Sequence, residues 1–200
     1  MKIRGIAAGF GVSMLAVLLL VTISSSRLMA TDDKQETSGH DGAEYDQKGP
    51  SGEFVKLVRE STERFRDPAV ADAEGYKLMF GCVTGPDWGA MGLHYVNLPL
   101  VLDGVLDPAK PEIIIYEPTA NGRLKITGAD YLVFADAWDA THDAAPELLG
   151  QLFHLFEAPN RFGLPAFYTL HVWAWKENPT GAFANWHSNV SCDAFAPGSQ

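Results

Sequence analysis

Three side chains with metal-ligand or proton-transfer chemistry stand in apolar or glycine-rich surroundings in this 200-residue chain. They are His94 in GAMGLHYVN, Asp130 in GADYLVF and His171 in FYTLHVWAW. A carboxylate among apolar neighbours is costly to bury without a partner, so Asp130 calls for a cation, an arginine or a metal. Two imidazoles and one carboxylate from separate strands suit a facial metal site with open positions, for Zn²⁺, Fe²⁺ or Cu²⁺. The same trio suits a general acid–base pair with an orienting carboxylate. The competing reading makes His94 and His171 hydrogen-bonded core residues and Asp130 a solvent-facing acid near a turn.

Further groups stand in reserve. His154 in LFHLF and His187 in NWHSN are candidates for a fourth ligand or a supporting position, and Glu117 before Pro118 is a spare carboxylate. His142 in ATHDA reads as exposed loop, and His40 lies in a polar N-terminal stretch. Strand alternation puts His171 on one face with Thr169, Trp173 and Trp175. Tyr168, Trp173 and Trp175 are thus candidate walls of an apolar ligand pocket, or simply core.

Known signatures narrow the chemistry. The chain has no G-x-G-x-x-G opening a helix, no phosphate-binding Walker loop, no G-x-S-x-G and no H-E-x-x-H. Nucleotide binding and common serine hydrolysis are therefore disfavoured. No C-x-x-C occurs either, which argues against a dithiol redox centre or a cysteine zinc knuckle.

The elements that must position these groups read as helices first and strands after. EFVKLVRESTERFRD places Phe54, Leu57, Val58 and Phe65 on one helical face. PAVADAEGY suggests a short second helix. Met79 to Asn97 is glycine-rich and reads as irregular backbone leading into a short strand. PEIIIYEP is a strand, Asn121-Gly122 a hairpin signal, and RLKITGADYLVF its partner, bulged at Gly128. PELLGQLFHLF is expected to be a short helix starting at Pro146, and AFYTLHVWAW the last strand. The expected fold is α+β: one or two N-terminal helices, then a mainly antiparallel sheet with a short inserted helix.

The ends bear on compartment. Lys2 and Arg4 precede an uncharged apolar stretch from Gly5 to Ile23 and a Ser-rich segment, the layout of a secretory signal peptide over residues 1–30. Cleavage after Ala30 or near Ser24–Ser26 is expected, with an uncleaved N-terminal anchor as the alternative. Residues 31–52 are polar and read as a disordered linker, and residues 53–200 as a single α+β domain. Removing Lys2, Arg4 and Arg27 takes the net charge from −10 to −13. Such acidity disfavours nucleic acid and anionic membrane surfaces as partners. No later segment is apolar and long enough to span a bilayer. Cys82 and Cys192, an even count in an exported chain, suggest one disulfide in place of two free thiols. The expected location is secreted or periplasmic.

Seven blocks occur in order: GCVTGPDWGAMGLHYVN, PEIIIYEP, ADAW, GQLFH, APNRFGLPAFY, LHVWAWKENPTGAF and VSC. Together they resemble a family of small exported bacterial proteins with no established activity, over roughly residues 54–193. The resemblance implies export and a shared domain, and it transfers no catalytic residue. This chain departs from the family pattern at four places. Asp130 stands where Glu is usual, and Asp139 where a His often follows the Trp. Thr169 stands in place of an acid, and His187 in place of Asn. If Thr169 marks a lost carboxylate, a metal site here is weakened or rebuilt around Asp130 and His187. The reading is of an exported protein that binds a metal ion or a small molecule. A metal centre, with a metal-dependent reaction as its extension, is weighed against a non-catalytic binding or envelope interaction domain with an aromatic pocket.

Overall fold

A computed structural model describes residues 50–196. The expected signal peptide and most of the expected linker lie outside the described residues. Residues 50–52, placed in the linker by composition, belong to helix α1, Pro50–Thr62. Phe54 and Val58, one helical turn apart, are fully buried. A 3₁₀ turn over Glu63–Arg66 and helix α2, Pro68–Ala73, follow as the sequence suggests. Asp67 caps α2 by accepting the Ala69 N–H.

Six strands form one antiparallel sheet. They are β1 (Lys77–Gly85), β2 (Gly89–Val96), β3 (Ile113–Pro118), β4 (Leu124–Phe134), β7 (His154–Phe156) and β8 (Phe167–Val172). Their spatial order is β1-β2-β3-β4-β8-β7. Helix α3 (Leu98–Asp103) joins β2 to β3, and α4 (Ala135–Asp139) follows β4. The short pair β5 (Glu147–Leu148) and β6 (Gln151–Leu152) makes a separate ribbon. The mixed α and β content and antiparallel pairing agree with the expected class.

Both faces of this sheet are covered, which explains why PEIIIYEP shows no polar alternation. One face carries Leu93, Tyr95, Ile114, Tyr116, Ala129, Tyr131, Leu170 and Val172, packed under α1, the 3₁₀ turn and α2. Three tyrosines there use their hydroxyls to tie down loops. Tyr76 bonds to the Pro111 carbonyl at 2.8 Å, Tyr116 to Phe65 at 2.7 Å and Tyr131 to Pro108 at 2.7 Å. The opposite face carries His94, Ile113, Ile115, Asp130, Leu132, Thr169 and His171, as the cross-strand pairs dictate.

Two local readings are corrected. The segment expected as irregular before His94 is the β1–β2 hairpin, with bulges that shift its register between Met79 and Cys82 and between Val83 and Thr84. Its glycines serve close approach: a Cβ on Gly89 would lie 2.2 Å from the His187 carbonyl oxygen. The helix expected from Pro146 is instead β5, β6 and β7. Leu149 and Gly150, at φ 48° and 81°, form the two-residue turn between β5 and β6. Two successive left-handed residues suit a type I′ hairpin and would break a helix. The bulge at Gly128 and the Asn121-Gly122 turn agree with expectation: Ile115 pairs with Gly128 and Tyr116 with Ile126, leaving Thr127 extra.

The C-terminal segment closes the molecule as a strap. Trp173 donates its backbone N–H to Ala182 at 2.8 Å and its indole N–H to Ala184 at 2.6 Å. His187 pairs with Ala90 of β2. A disulfide joins Cys192 to Cys82 of β1 across 110 positions. Among the described residues, no helix is long and apolar enough to cross a membrane.

Candidate metal centre

His94, Asp130 and His171 come from β2, β4 and β8, and each offers a ligand atom within 4.8 Å of the others. All three are buried, at 6 %, 2 % and 2 % exposure. Asp130 and His171 are a direct cross-strand pair. His94 sits beyond β3, opposite Ile115. Adjacent strands lie about 4.8 Å apart, so β2 and β8, three strand spacings apart, would hold their side chains about 14 Å apart on a flat sheet. The His94 and His171 ring centroids are 5.8 Å apart. The sheet therefore folds toward this face. Bare Gly128 lies in the cross-strand row of His94, next to that of Asp130 and His171, and Gly92, at φ 94°, sits two residues before His94. A Cβ on Gly128 would sit 2.4 Å from the Val172 carbonyl, and one on Gly92 2.6 Å from that of Tyr116.

The contacts inside the cluster do not make a closed hydrogen-bond network. Thr169 donates its hydroxyl to Asp130 Oδ1 at 2.5 Å. His171 Nδ1 lies 3.5 Å from the same oxygen, beyond an ordinary N–H···O bond. Two donors about 2.1 Å from a tetrahedral ion stand about 3.4 Å apart, so this spacing suits a shared cation. Neither ring nitrogen of His171 has a hydrogen-bond partner. His94 Nδ1 has only a long contact, 3.3 Å, to the Gly92 carbonyl.

Burial sets the protonation. It pushes His94 down to about 4, helped by His171 and opposed by Asp130. It pushes His171 down to about 3, helped by His154 and opposed by Asn185. It raises Asp130 to about 6, against His94, the Thr169 hydroxyl and the backbone N–H groups of Leu170 and Tyr131. At neutral pH the cluster is thus two neutral imidazoles, lone pairs free, around an ionised carboxylate. A buried anion with no cation beside it is unfavourable. A divalent ion would offset that charge.

The open side faces a cavity of about 30 Å³, room for a water or two. Its other walls are apolar: Phe80, Met91, Leu132, Phe156, Phe162 and Phe167 among them. Phe80 packs edge-on to Phe162 at 5.6 Å and Phe156 stacks on Phe167 at 5.2 Å. Phe80 holds φ 68° and is 41 % exposed, at the mouth of the cavity. A left-handed phenylalanine carries backbone strain.

The remaining candidates stand apart. His154 is exposed on edge strand β7 and faces Thr169. His187 is buried edge-on to Trp173, 4.8 Å between centroids, and its Nδ1 accepts the Asn189 N–H. Glu117 holds Lys176 at 2.7 Å and accepts the Ser191 N–H. His142 is exposed and stacks on Trp138. None of the three expected aromatic walls lines the cavity. Tyr168 points to the helix-covered face, Trp173 packs with Val190 under the strap, and Trp175 donates to Thr62. Alternation holds through Trp173, which stacks on His171 at 6.0 Å, and fails at Trp175 because β8 ends at Val172 and the chain turns, Ala174 N–H bonding to the Val172 carbonyl. The actual walls come from all six strands of the sheet and the loop before β8, too far apart in sequence for any spacing rule to collect. Asn185 was equally invisible: its position depends on the strap. No family model, curated protein or solved structure matches this chain.

Proposed function

We propose that this is an exported protein that binds one divalent metal ion through His94, Asp130 and His171. One observation carries the reading: a buried carboxylate flanked by two neutral imidazoles, one of which, His171, has neither ring nitrogen in a hydrogen bond. The donor set of two nitrogens and one oxygen suits Zn²⁺, Fe²⁺ or Cu²⁺. A bound ion would supply Lewis acidity on the cavity side. The protein's own part is to hold the donors apart at ligand spacing, to fix Asp130 through Thr169, and to keep charged molecules away with a phenylalanine wall. Export is supported by the charged, then apolar N-terminus and by the disulfide, which suits an oxidising compartment. The block order supports membership in the small exported bacterial family described above.

Metal analysis of tag-free protein tests this. Reconstitution should give about one ion per chain, and His171→Ala should abolish it. Less than about 0.2 ion per chain, unchanged in His171→Ala, would sink the assignment.

The phenylalanine-lined cavity favours a second reading, a binder of apolar molecules with the polar cluster as its floor. At about 30 Å³ it is well below the roughly 150 Å³ that accepts benzene. An aromatic ligand would thus need Phe80 and Phe162 to part.

A further inference from the structure

Asn185 is placed by its neighbours. The Ala184 carbonyl before it is held by the Trp173 indole, and the Trp186 carbonyl after it accepts the Asn178 amide at 2.9 Å. His187, next in line, is bridged to Ala90 of β2. The strap therefore runs from the end of β8, which supplies His171, to β2, which supplies His94. The Trp173 ring stacks on that of His171, 6.0 Å between centroids, and its indole N–H holds the Ala184 carbonyl, so the strap carries Asn185 alongside His171, as its hydrogen-bonding neighbour. Its Oδ1 is buried and has no partner in hydrogen-bond geometry. His171 Nε2 is in the same condition. One is an acceptor and the other can be a donor. The other ring nitrogen, Nδ1, is the one that approaches Asp130.

We infer that Asn185 is the positioning residue of the site, accepting the Nε2–H of His171 and so committing the Nδ1 lone pair to the ion. The inference rests on the metal reading for its consequence, since a ligating histidine characteristically donates its second nitrogen to an acceptor that fixes ring and tautomer. It adds a fourth residue from outside the sheet. It also gives the strap a task beyond packing: closing the strap sets the tautomer of His171. Without Asn185, Nδ1 could carry the proton toward Asp130, and that tautomer presents no lone pair between the two.

Long-range ¹H–¹⁵N correlation NMR on the metal-free full chain reads the tautomer directly. Wild type should show His171 protonated at Nε2. Asn185→Leu, similar in volume but without an acceptor, should show a mixture with Nδ1–H, and Asn185→Asp should restore the wild-type pattern. Zinc affinity, by competition titration, should fall about 10–100-fold in Asn185→Leu and recover in Asn185→Asp. An Nδ1–H tautomer in wild type, or a pure Nε2–H tautomer retained in Asn185→Leu, overturns the inference whatever the affinity does. The wild-type spectrum alone decides if the variants fail to fold. The expected tautomers in a protein that takes up no zinc would leave the hydrogen bond standing and sink the metal reading alone.

Discussion

Among the three candidate ligands, the balance of protons decides how the protein responds to acid. His94 and His171 titrate lower in the fold than in the unfolded chain, at about 4 and about 3, so the unfolded state binds their protons first as pH falls. Each therefore lowers stability progressively below about pH 6.5. Asp130, raised to about 6, works the other way: between about pH 6 and its ordinary value near 3.8 the folded state takes the proton first. Two groups against one leave the metal-free centre acid-sensitive. Comparing urea denaturation of wild type and His171→Gln isolates one of them. The variant should improve relative to wild type by about 2 kcal/mol between pH 7 and pH 4.5, and a pH-independent difference would contradict the burial of a neutral His171. At this scale the sequence was informative about types. A lone acid in GADYLVF and a histidine in an aromatic run already asked for partners. It was silent on convergence, because the ligands approach one another only through a folded sheet and no spacing encodes that curvature.

For the strands, the local chemistry was legible wherever it was strong. The isoleucine run of β3, the Asn121-Gly122 turn and the bulge before Gly128 all follow from residue type. The β5–β6 ribbon did not, because its apolar residues also satisfy a helical period, and the Leu149-Gly150 turn outweighs that pattern. The bulge offers an element-level prediction. Gly128→Ala should cost about 3 kcal/mol, since the new methyl meets the β8 backbone at 2.4 Å rather than a movable side chain. Gly122→Ala, at φ 76° with nothing within 4 Å, should cost about 1 kcal/mol. Thermal melts of both would show the contrast, and metal affinity should fall only for Gly128→Ala. Equal losses would mean that the Gly128 approach does not shape the site.

Across the whole molecule the disulfide is the covalent tie. An even count of two cysteines predicted it, and the strap explains what it holds. Cys82→Ser with Cys192→Ser should lower stability by roughly 4 kcal/mol, as expected for a crosslink closing so long a loop. The strap also has its Trp173 and His187 fastenings, so the double variant should keep its secondary structure by circular dichroism while losing metal affinity. Unchanged affinity would show that the strap sets the site without its terminal anchor. What the sequence could not show at this level is the strand order. Nothing in HLF or FYTLHV says that β8 enters between β4 and β7.

That insertion has a kinetic consequence. β7 is synthesised before β8 yet touches the sheet only through it, so it cannot join until β8 has docked. The β4–β8 pairing, which brings His171 to Asp130, therefore precedes the addition of β7 to the sheet. Run backwards, fraying from the β7 edge reaches a ligand after a single strand. Escape of a bound ion would then wait on the second step of fraying at this edge, the parting of β8 from β4.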